Sequence, residues 1–269
     1  MEIEDLKEED EGLYFRCLES WDTDIGKNTT RRKERWYRHK KEKGLRVKVA
    51  RGDDGRLGGM IHYLPIEETA IMGENLFFVL CIWVPPKKGR PATLRGTGAG
   101  SALLKSAEAD AAASGVAGLV CWGLTIPAFM RAAWFRQHGY RETDREGIMS
   151  LLWKPLLEGT APPRWNRPVR TPQAEGGKTT VDVFCSGWCP AGNLAFDRVQ
   201  RVAEEFGPGV IYREYDGDDP AVQATWGVGD ALYIDGKEVR TGPPPSYRKL
   251  RRIVSRSQKK KRMKVSTDR

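Results

Sequence analysis

Cysteine and histidine are scarce in this chain of 269 residues, which has five cysteines and three histidines. Five scattered cysteines are too few for a disulfide framework in a chain of this length. No histidine stands near a cysteine at the spacing of a metal site. The sequence therefore predicts neither a disulfide-stapled fold nor a bound metal.

Long apolar runs are also lacking. No segment approaches the roughly 18–20 consecutive apolar residues of a membrane helix, and 30% of the residues are charged. The first ten residues are acidic and lack both the basic and the apolar part of a secretory signal. We therefore expect a globular protein with no membrane span and a cytoplasmic location.

The net charge of +9 is concentrated near the C-terminus, where residues 248–264 contain ten Lys and Arg and no acid. This segment has two interpretations. Clustered cations attract the phosphate backbone of nucleic acids, but a solvated, disordered tail has the same composition. No aromatic residue follows Tyr247 to stack on bases, which favours the solvated tail over a nucleic-acid partner.

A change in composition indicates two domains, as the chain length does. Residues 157–178 are rich in Pro, Gly and Arg, include one Gln, and show no apolar period. We predict an α/β domain at 1–156, this segment as a linker, a smaller α/β domain at 179–256, and a basic, disordered tail at 257–269.

The first domain shows alternating strand and helix patterns. A hairpin at 45–66 precedes a strand at 76–84 that is apolar almost throughout, which is typical of a strand buried on both faces. A glycine cluster and an Ala-rich helix at 101–114 follow, then a strand at 117–122, a helix at 129–138 and a strand at 148–153. This order predicts a mixed sheet flanked by helices.

The glycine cluster lies between the buried strand and the Ala-rich helix, and reads Arg95, Gly96, Thr97, Gly98, Ala99, Gly100. Glycines without Cβ atoms at a helix N-terminus leave backbone N–H groups open to an anion, and the helix dipole favours negative charge there. A flexible loop can contain such glycines by chance. A dinucleotide fold would need an acid near the end of the next strand, and residues 117–122 contain none.

The cluster resembles the signature of GCN5-related N-acetyltransferases (the GNAT family), which is matched by Arg95, Gly98 and Gly100. Residues 131–140 resemble a second block of that family, an aromatic-bearing helix closed by Gly139-Tyr140. The resemblance implies an enzyme that transfers an acetyl group from acetyl-CoA to a primary amine by direct attack. It also implies which residues bind the cofactor: Ile82, Trp83 and Val84 bind the pantetheine arm, residues 95–100 bind the pyrophosphate, and Phe135 is a further cofactor-binding residue.

The proton-transfer groups are less well specified. Many members of the family carry a tyrosine as proton donor where this chain has Trp134-Phe135. Two alternatives therefore remain for protonation of the leaving thiolate: water acts as the general acid, or the reaction uses no general acid. We expect Glu74 as the general base, with Glu67 and Glu68 as further candidates; a solvated surface carboxylate is the alternative for each. The sequence does not distinguish a small amine from a peptide or protein amine as the acceptor of the acetyl group. It also indicates no oligomeric state.

The second domain predicts the order β-α-β-α-β-β-α of a thioredoxin-like fold. Cys185 and Cys189 follow its first strand, and Cys189 occupies the position of a redox nucleophile at a helix N-terminus. The partner position of a dithiol motif is Gly192. A thiol-redox protein is therefore an alternative function, with a structural role for both cysteines as the other. The segment 235–247 resembles the YoaP-like module that follows some acetyltransferases of this family.

Overall fold

The computed structural model describes residues 1–18, 25–86 and 94–267. They form two compact units, the first from residues 1–18, 37–86 and 94–166 and the second from residues 25–36 and 167–267. No helix in these ranges is both long enough and apolar enough to span a membrane. No group of three or more His, Cys, Asp or Glu in these ranges is arranged to hold a metal ion.

The first unit is built on a seven-stranded mixed sheet. The strands of this unit are β1 (Glu2–Asp5), β2 (Arg46–Arg51), β3 (Leu57–Pro65), β4 (Ile71–Met72), β5 (Leu76–Trp83), β6 (Gly118–Leu124), β7 (Arg141–Glu146), β8 (Met149–Pro155) and β9 (Arg164–Trp165). The sheet order is β1-β2-β3-β5-β6-β8-β7, and β4 pairs separately with β9. Only β5 and β6 are parallel; the other neighbours in the large sheet are antiparallel.

Helices cover both faces of this sheet. They are α1 (Glu11–Phe15), α2 (Ile25–Lys41), α3 (Ala99–Ala113) and α4 (Ala132–Gln137), and α2 contributes residues to both units. On one face, Leu103, Leu104 and Ala107 of α3 are fully buried against β3, β5 and β6. On the other face, Tyr14 and Tyr37 pack 5.5 Å apart. The predicted mixed sheet flanked by helices is confirmed.

The second unit contains a four-stranded sheet. Its elements are β10 (Thr179–Cys185), α5 (Pro190–Phe206), β11 (Val210–Asp216), α6 (Pro220–Trp226), β12 (Ala231–Ile234), β13 (Lys237–Glu238) and α7 (Tyr247–Thr267). The sheet order is β11-β10-β12-β13, with β10 and β11 parallel and the other pairs antiparallel. Apolar side chains of α5 and α7 bury one face of this sheet, and aromatic residues bury the other.

Helix α7 differs from the expected tail. It continues to Thr267, so residues 257–267 are helical where disorder was expected. The reason is that this part of the helix still has partners: Gln258 is buried, and the Lys261 Nζ lies 2.6 Å from Asp235 Oδ1. The expected linker also contains a short strand, β9, which pairs with β4.

Candidate active site

The sheet of the first unit opens between its two parallel strands. β5 and β6 pair from Leu76↔Gly118 to Val79↔Cys121 and no further. Beyond that point β5 stays paired with β3 as far as Trp83, and β6 stays paired with β8 as far as Leu124. The backbone groups of Ile82 and Trp83 that face β6 therefore have no strand partner in the described sheet.

A bulge in β5 marks where the strands separate. His62 of β3 pairs with Cys81, but the next residue, Tyr63, pairs with Val79. Leu80 is thus an extra residue on β5, and a bulge of this kind bends a strand and ends its regular pairing. The Leu80 carbonyl accepts a hydrogen bond from the indole Nε1 of Trp122 on β6, at 2.7 Å. The apolar run of β5 gave no sign of this bulge.

Aromatic rings line the separated ends of the two strands. The Phe129 ring centroid lies 5.4 Å from that of Trp83 and 5.8 Å from that of Trp122, both with edge-on geometry. Phe129 is 38% exposed although it is a large apolar side chain. The opening between β5 and β6 is therefore bordered by apolar rings that remain partly accessible.

The glycine cluster forms an open turn directly before α3. Gly96 and Gly98 have φ values of 85° and 87°, which side-chain-bearing residues rarely adopt. A Cβ built on either glycine meets no atom of the described residues within 4 Å. The amide and hydroxyl of Thr97 donate to the Leu94 carbonyl at 3.2 and 2.7 Å and close the turn. None of the described residues therefore occupies the space in front of the two glycines.

The N-terminus of α3 presents free backbone donors. The first bond of the helix joins the Ala102 amide to the Gly98 carbonyl at 2.9 Å. In the described structure, the amides of the four residues before Ala102 donate to no backbone acceptor, and no side chain caps the helix. The first turn has no acidic residue. Together with the exposed Arg95, these donors suit a bound phosphate group.

Two glycines of β3 bring the predicted binding segments together. A Cβ on Gly58 would lie 2.6 Å from Leu94 Cγ, immediately before the glycine cluster. A Cβ on Gly59 would lie 3.3 Å from Val84 Cγ2 and 3.1 Å from Leu103 Cδ1. The end of β5, the start of the glycine turn and α3 therefore converge on the same short stretch of β3. These segments were predictable from the sequence, whereas the role of the two glycines was not.

Helix α4 packs against the start of α3 through Trp134 rather than through the residue predicted from the sequence. A Cβ on Gly100 would lie 3.5 Å from the Trp134 ring. Phe135, which we expected beside the cofactor, is fully buried in the core, with its ring 5.7 Å from that of Tyr140. Successive helical residues point about 100° apart, so the ring of Phe135 enters the core while the ring of Trp134 lies beside Gly100.

A histidine that the sequence analysis missed fixes this contact. The His138 Nδ1 lies 2.9 Å from the Trp134 carbonyl, and Nε2 lies 2.9 Å from the Ser101 hydroxyl. A carbonyl only accepts, so Nδ1 carries the proton, and in the neutral ring Nε2 accepts from Ser101. The first turn of α3 is thereby tied to α4. The sequence contained a signal for this contact: His138 is four residues after Trp134, a spacing that places both side chains on the same face of a helix.

Glu74 lies at the wrong end of β5 for the predicted role of general base. It is exposed and precedes the first residue of the strand, Leu76. The strands separate near the other end, and a strand of this length spans about 25 Å at roughly 3.3 Å per residue. Glu67 and Glu68 also lie at the far end, where they contact the Asn75 amide and the Lys40 ammonium. Glu74 therefore lies away from the opening between β5 and β6, and its role as general base stays a prediction.

In the second unit, the two cysteines of the predicted redox loop differ in exposure. Cys185 is 7% exposed, and burial raises the pKa of its thiol well above the usual value. Arg32 reaches the Cys185 sulfur at 3.8 Å but is also paired with Asp197 and Glu214. Cys189 is partly exposed and stands at the N-cap of α5, a helix of 17 residues. Within the described residues, neither cysteine forms a disulfide.

No protein-family model matches the chain, and no curated protein matches it in sequence. Among solved structures, it is similar to PaiA N-acetyltransferase from Thermoplasma acidophilum in complex with coenzyme A, at 15% identity and a TM-score of 0.40, over 58% of this chain and 99% of that one. It is also similar to a GNAT-family N-acetyltransferase from Escherichia coli in complex with CoA, at 16% identity and a TM-score of 0.42, over 60% of this chain and 87% of that one. A third similar structure is a putative acetyltransferase of the GNAT family from Desulfovibrio desulfuricans, at 19% identity and a TM-score of 0.42, over 58% of this chain and 97% of that one. None of these likenesses assigns a role to a residue of this chain.

Proposed function

We propose that the first unit is an acyl-CoA-dependent N-acetyltransferase. The observation that carries this proposal is the opening between β5 and β6 beyond the Val79↔Cys121 pair, next to a glycine turn whose helix amides are free. Val84 and Leu94 pack on adjacent residues of β3. One extended ligand with a pyrophosphate at one end can therefore engage the turn and the opened strand together.

In this proposal the pyrophosphate binds at the amides of the glycine turn, with Arg95 adding a charge-assisted contact. The pantetheine arm lies along residues 82–84 and pairs with the backbone groups that β6 leaves free. Coenzyme A presents a polar, extended arm, and main-chain pairing of this kind is how extended ligands bind at an exposed strand. Phe135 is not part of this site, because its side chain is buried.

The transfer proceeds by direct attack. The unprotonated amine nitrogen forms a bond to the thioester carbonyl carbon while a backbone N–H of β5 stabilises the negative charge on the carbonyl oxygen. The C–S bond then breaks, and its electron pair leaves on the coenzyme sulfur. The ammonium proton passes to water, and water protonates the thiolate, since α4 offers Trp134 and Phe135 in place of a phenol.

Titration of the full chain with acetyl-CoA in a calorimeter tests the proposal. We expect one site, with desulfo-CoA binding comparably because the pyrophosphate and arm are kept. A wild-type chain that binds no acyl-CoA would contradict the proposal. Incubating the protein with acetyl-CoA and a panel of small amines and peptides, with release of free thiol as the readout, then identifies the class of acceptor.

We also propose that residues 179–256 form a thioredoxin-like, YoaP-like domain that follows an acetyltransferase domain in residues 1–156. The strand order β11-β10-β12-β13, with the first two parallel, supports this assignment.

The alternative function, thiol exchange, rests on Cys189, because it is partly exposed at a helix N-terminus while Cys185 is buried. Alkylation of Cys189 by iodoacetamide across a pH series tests it. A thiol pKa near the ordinary value of about 8.5, with no mixed-disulfide exchange, would rule out the redox function.

A further inference from the structure

Helix α7 packs one face against the second unit and neutralises the cations on that side. Leu250 and Val254 are fully buried in its core. At the border of this face, the guanidinium of Arg251 lies 2.6 Å from Glu205 and the ammonium of Lys261 lies 2.6 Å from Asp235. The helix is therefore held in place by contacts of its inner face alone.

The outward face of α7 carries unneutralised positive charge. Six of its cationic side chains are exposed, and within the described part of the chain none of the six has an ion-pair or side-chain hydrogen-bond partner: Arg248, Lys249, Arg252, Arg256, Lys259 and Lys260. We call this set the outer basic face. The helix has ten basic and no acidic residues, so the other 248 residues carry 35 basic against 36 acidic ones. The rest of the protein is therefore close to neutral, and this helix accounts for the net positive charge of +9.

The spacing on the outer basic face suits a polyanion. Arg248, Arg252 and Arg256 recur every four residues, which places their side chains along one side of the helix at intervals of about 6 Å. From residue 248 to residue 260 the helix is about 18 Å long. A nucleic-acid duplex presents about one phosphate charge per 1.7 Å of its axis, so several phosphates lie within reach of a helix of this length.

Two features distinguish a nucleic acid from a membrane surface. A basic amphipathic helix binds a bilayer by burying its apolar face among the lipids, but Leu250 and Val254 are already buried in the core of the second unit. The outer face offers almost entirely cations, and the aromatic side chain at its start, Tyr247, donates to Glu205. Binding through charge alone, with no base stacking, is typical of contact with a phosphate backbone.

We propose that the outer basic face of α7 binds the phosphodiester backbone of a nucleic-acid duplex without reading its sequence. This interaction surface is separate from the proposed acetyltransferase site, since every residue in it belongs to the second unit. The helix is already ordered by its inner face, so binding does not have to meet the entropic cost of folding a tail.

Fluorescence anisotropy of the full chain with a labelled DNA or RNA duplex of about 20 base pairs tests the proposal. Each phosphate contact contributes a slope of about −0.9 to log K against log salt. If about five of the six cations contact phosphates, affinity falls about 500-fold between roughly 50 and 200 mM salt. The triple variant R252Q/R256Q/K259Q leaves about two contacts, for which the same change in salt lowers affinity only about tenfold.

A matched control removes the same charge elsewhere. The triple variant R56Q/K237Q/R240Q neutralises three exposed cations outside α7, so it keeps the wild-type salt dependence if the proposal is right. Urea unfolding of both variants establishes that each is folded. Absence of duplex binding at about 50 mM salt would overturn the proposal. Equal effects of the two variants, or preferential binding to phosphatidylserine vesicles, would overturn it as well.

Discussion

Replacing Gly98 by alanine separates the backbone role of this glycine from its role in ligand binding. Its φ of 87° lies in the left-handed region, where a side-chain-bearing residue costs about 1–2 kcal/mol. Reduced entropy of the unfolded chain offsets about 0.4–1 kcal/mol of that cost. Among the residues that the structure describes, the new Cβ meets no atom within 4 Å. We therefore expect G98A to lose only about 1 kcal/mol of unfolding free energy.

The effect on ligand affinity is larger, because the added Cβ lies in the space left open before the α3 amides. Losing one hydrogen bond to a charged phosphate costs about 1.5–3 kcal/mol. At 1.4 kcal/mol per tenfold change, coenzyme A affinity should fall about 10- to 100-fold. Calorimetric titration gives the affinity, and urea unfolding gives the stability.

Two variants make this comparison decisive. Gly115 follows α3 with a φ of 71° and open space around a built Cβ, so G115A should match G98A in stability and keep full coenzyme A affinity. G100A places its Cβ 3.5 Å from the Trp134 ring, an ordinary contact, and should bind normally. If G98A binds coenzyme A as tightly as G115A does, the glycine turn is not the phosphate site.

The remaining predictions concern the surroundings of the site. G58A forces the Leu94 side chain to move, because a Cβ on residue 58 lies 2.6 Å from Leu94 Cγ. Calorimetry should therefore show weaker coenzyme A binding. Unchanged affinity would contradict the convergence of the binding segments on β3. E74Q should leave kcat/KM unchanged within about twofold, less than the 10²–10⁴-fold loss expected of a general base; a loss in that range would restore the residue as the base. Hydrogen bonds led by that from Arg145 lower the pKa of Glu142 to about 2. The lowered pKa contributes stability above about pH 4.5 that is lost as the pH falls toward 2. In urea unfolding, E142Q should therefore be less stable than wild type at pH 7, by under about 1 kcal/mol, and equally stable near pH 2; a difference that persists there would refute the assignment.

Helices and strands whose apolar residues recur at a regular spacing were predictable from the sequence. Edge strands that lack such a pattern were not. β5 and α3 were recognised because their apolar residues follow the period of a buried strand and of a helix. β7, in contrast, reads Arg-Glu-Thr-Asp-Arg-Glu, and β1 is mostly acidic. Both are edge strands that pair with one neighbour, so their sequence need not show the alternation of a buried strand.

The candidate site divides in the same way. The glycine turn was predictable because positive φ and free helix amides have a direct residue signature in Gly96 and Gly98. The bulge at Leu80 and the contact of Gly58 with Leu94 depend on which strands lie side by side, and no local pattern encodes that. The position of Glu74 relative to the opening was not predictable for the same reason, since the direction in which β5 runs is a property of the assembled sheet.

The central claim is that coenzyme A binds through the amides at the start of α3. Titration of ¹⁵N-labelled protein with coenzyme A, followed by amide NMR, tests this claim most directly. We predict saturable shifts centred on Gly98, Ala99, Gly100 and Ser101, with smaller shifts at residues 81–84 of β5 and none at Gly115. Saturable binding that shifts other amides and leaves these four unchanged would contradict it.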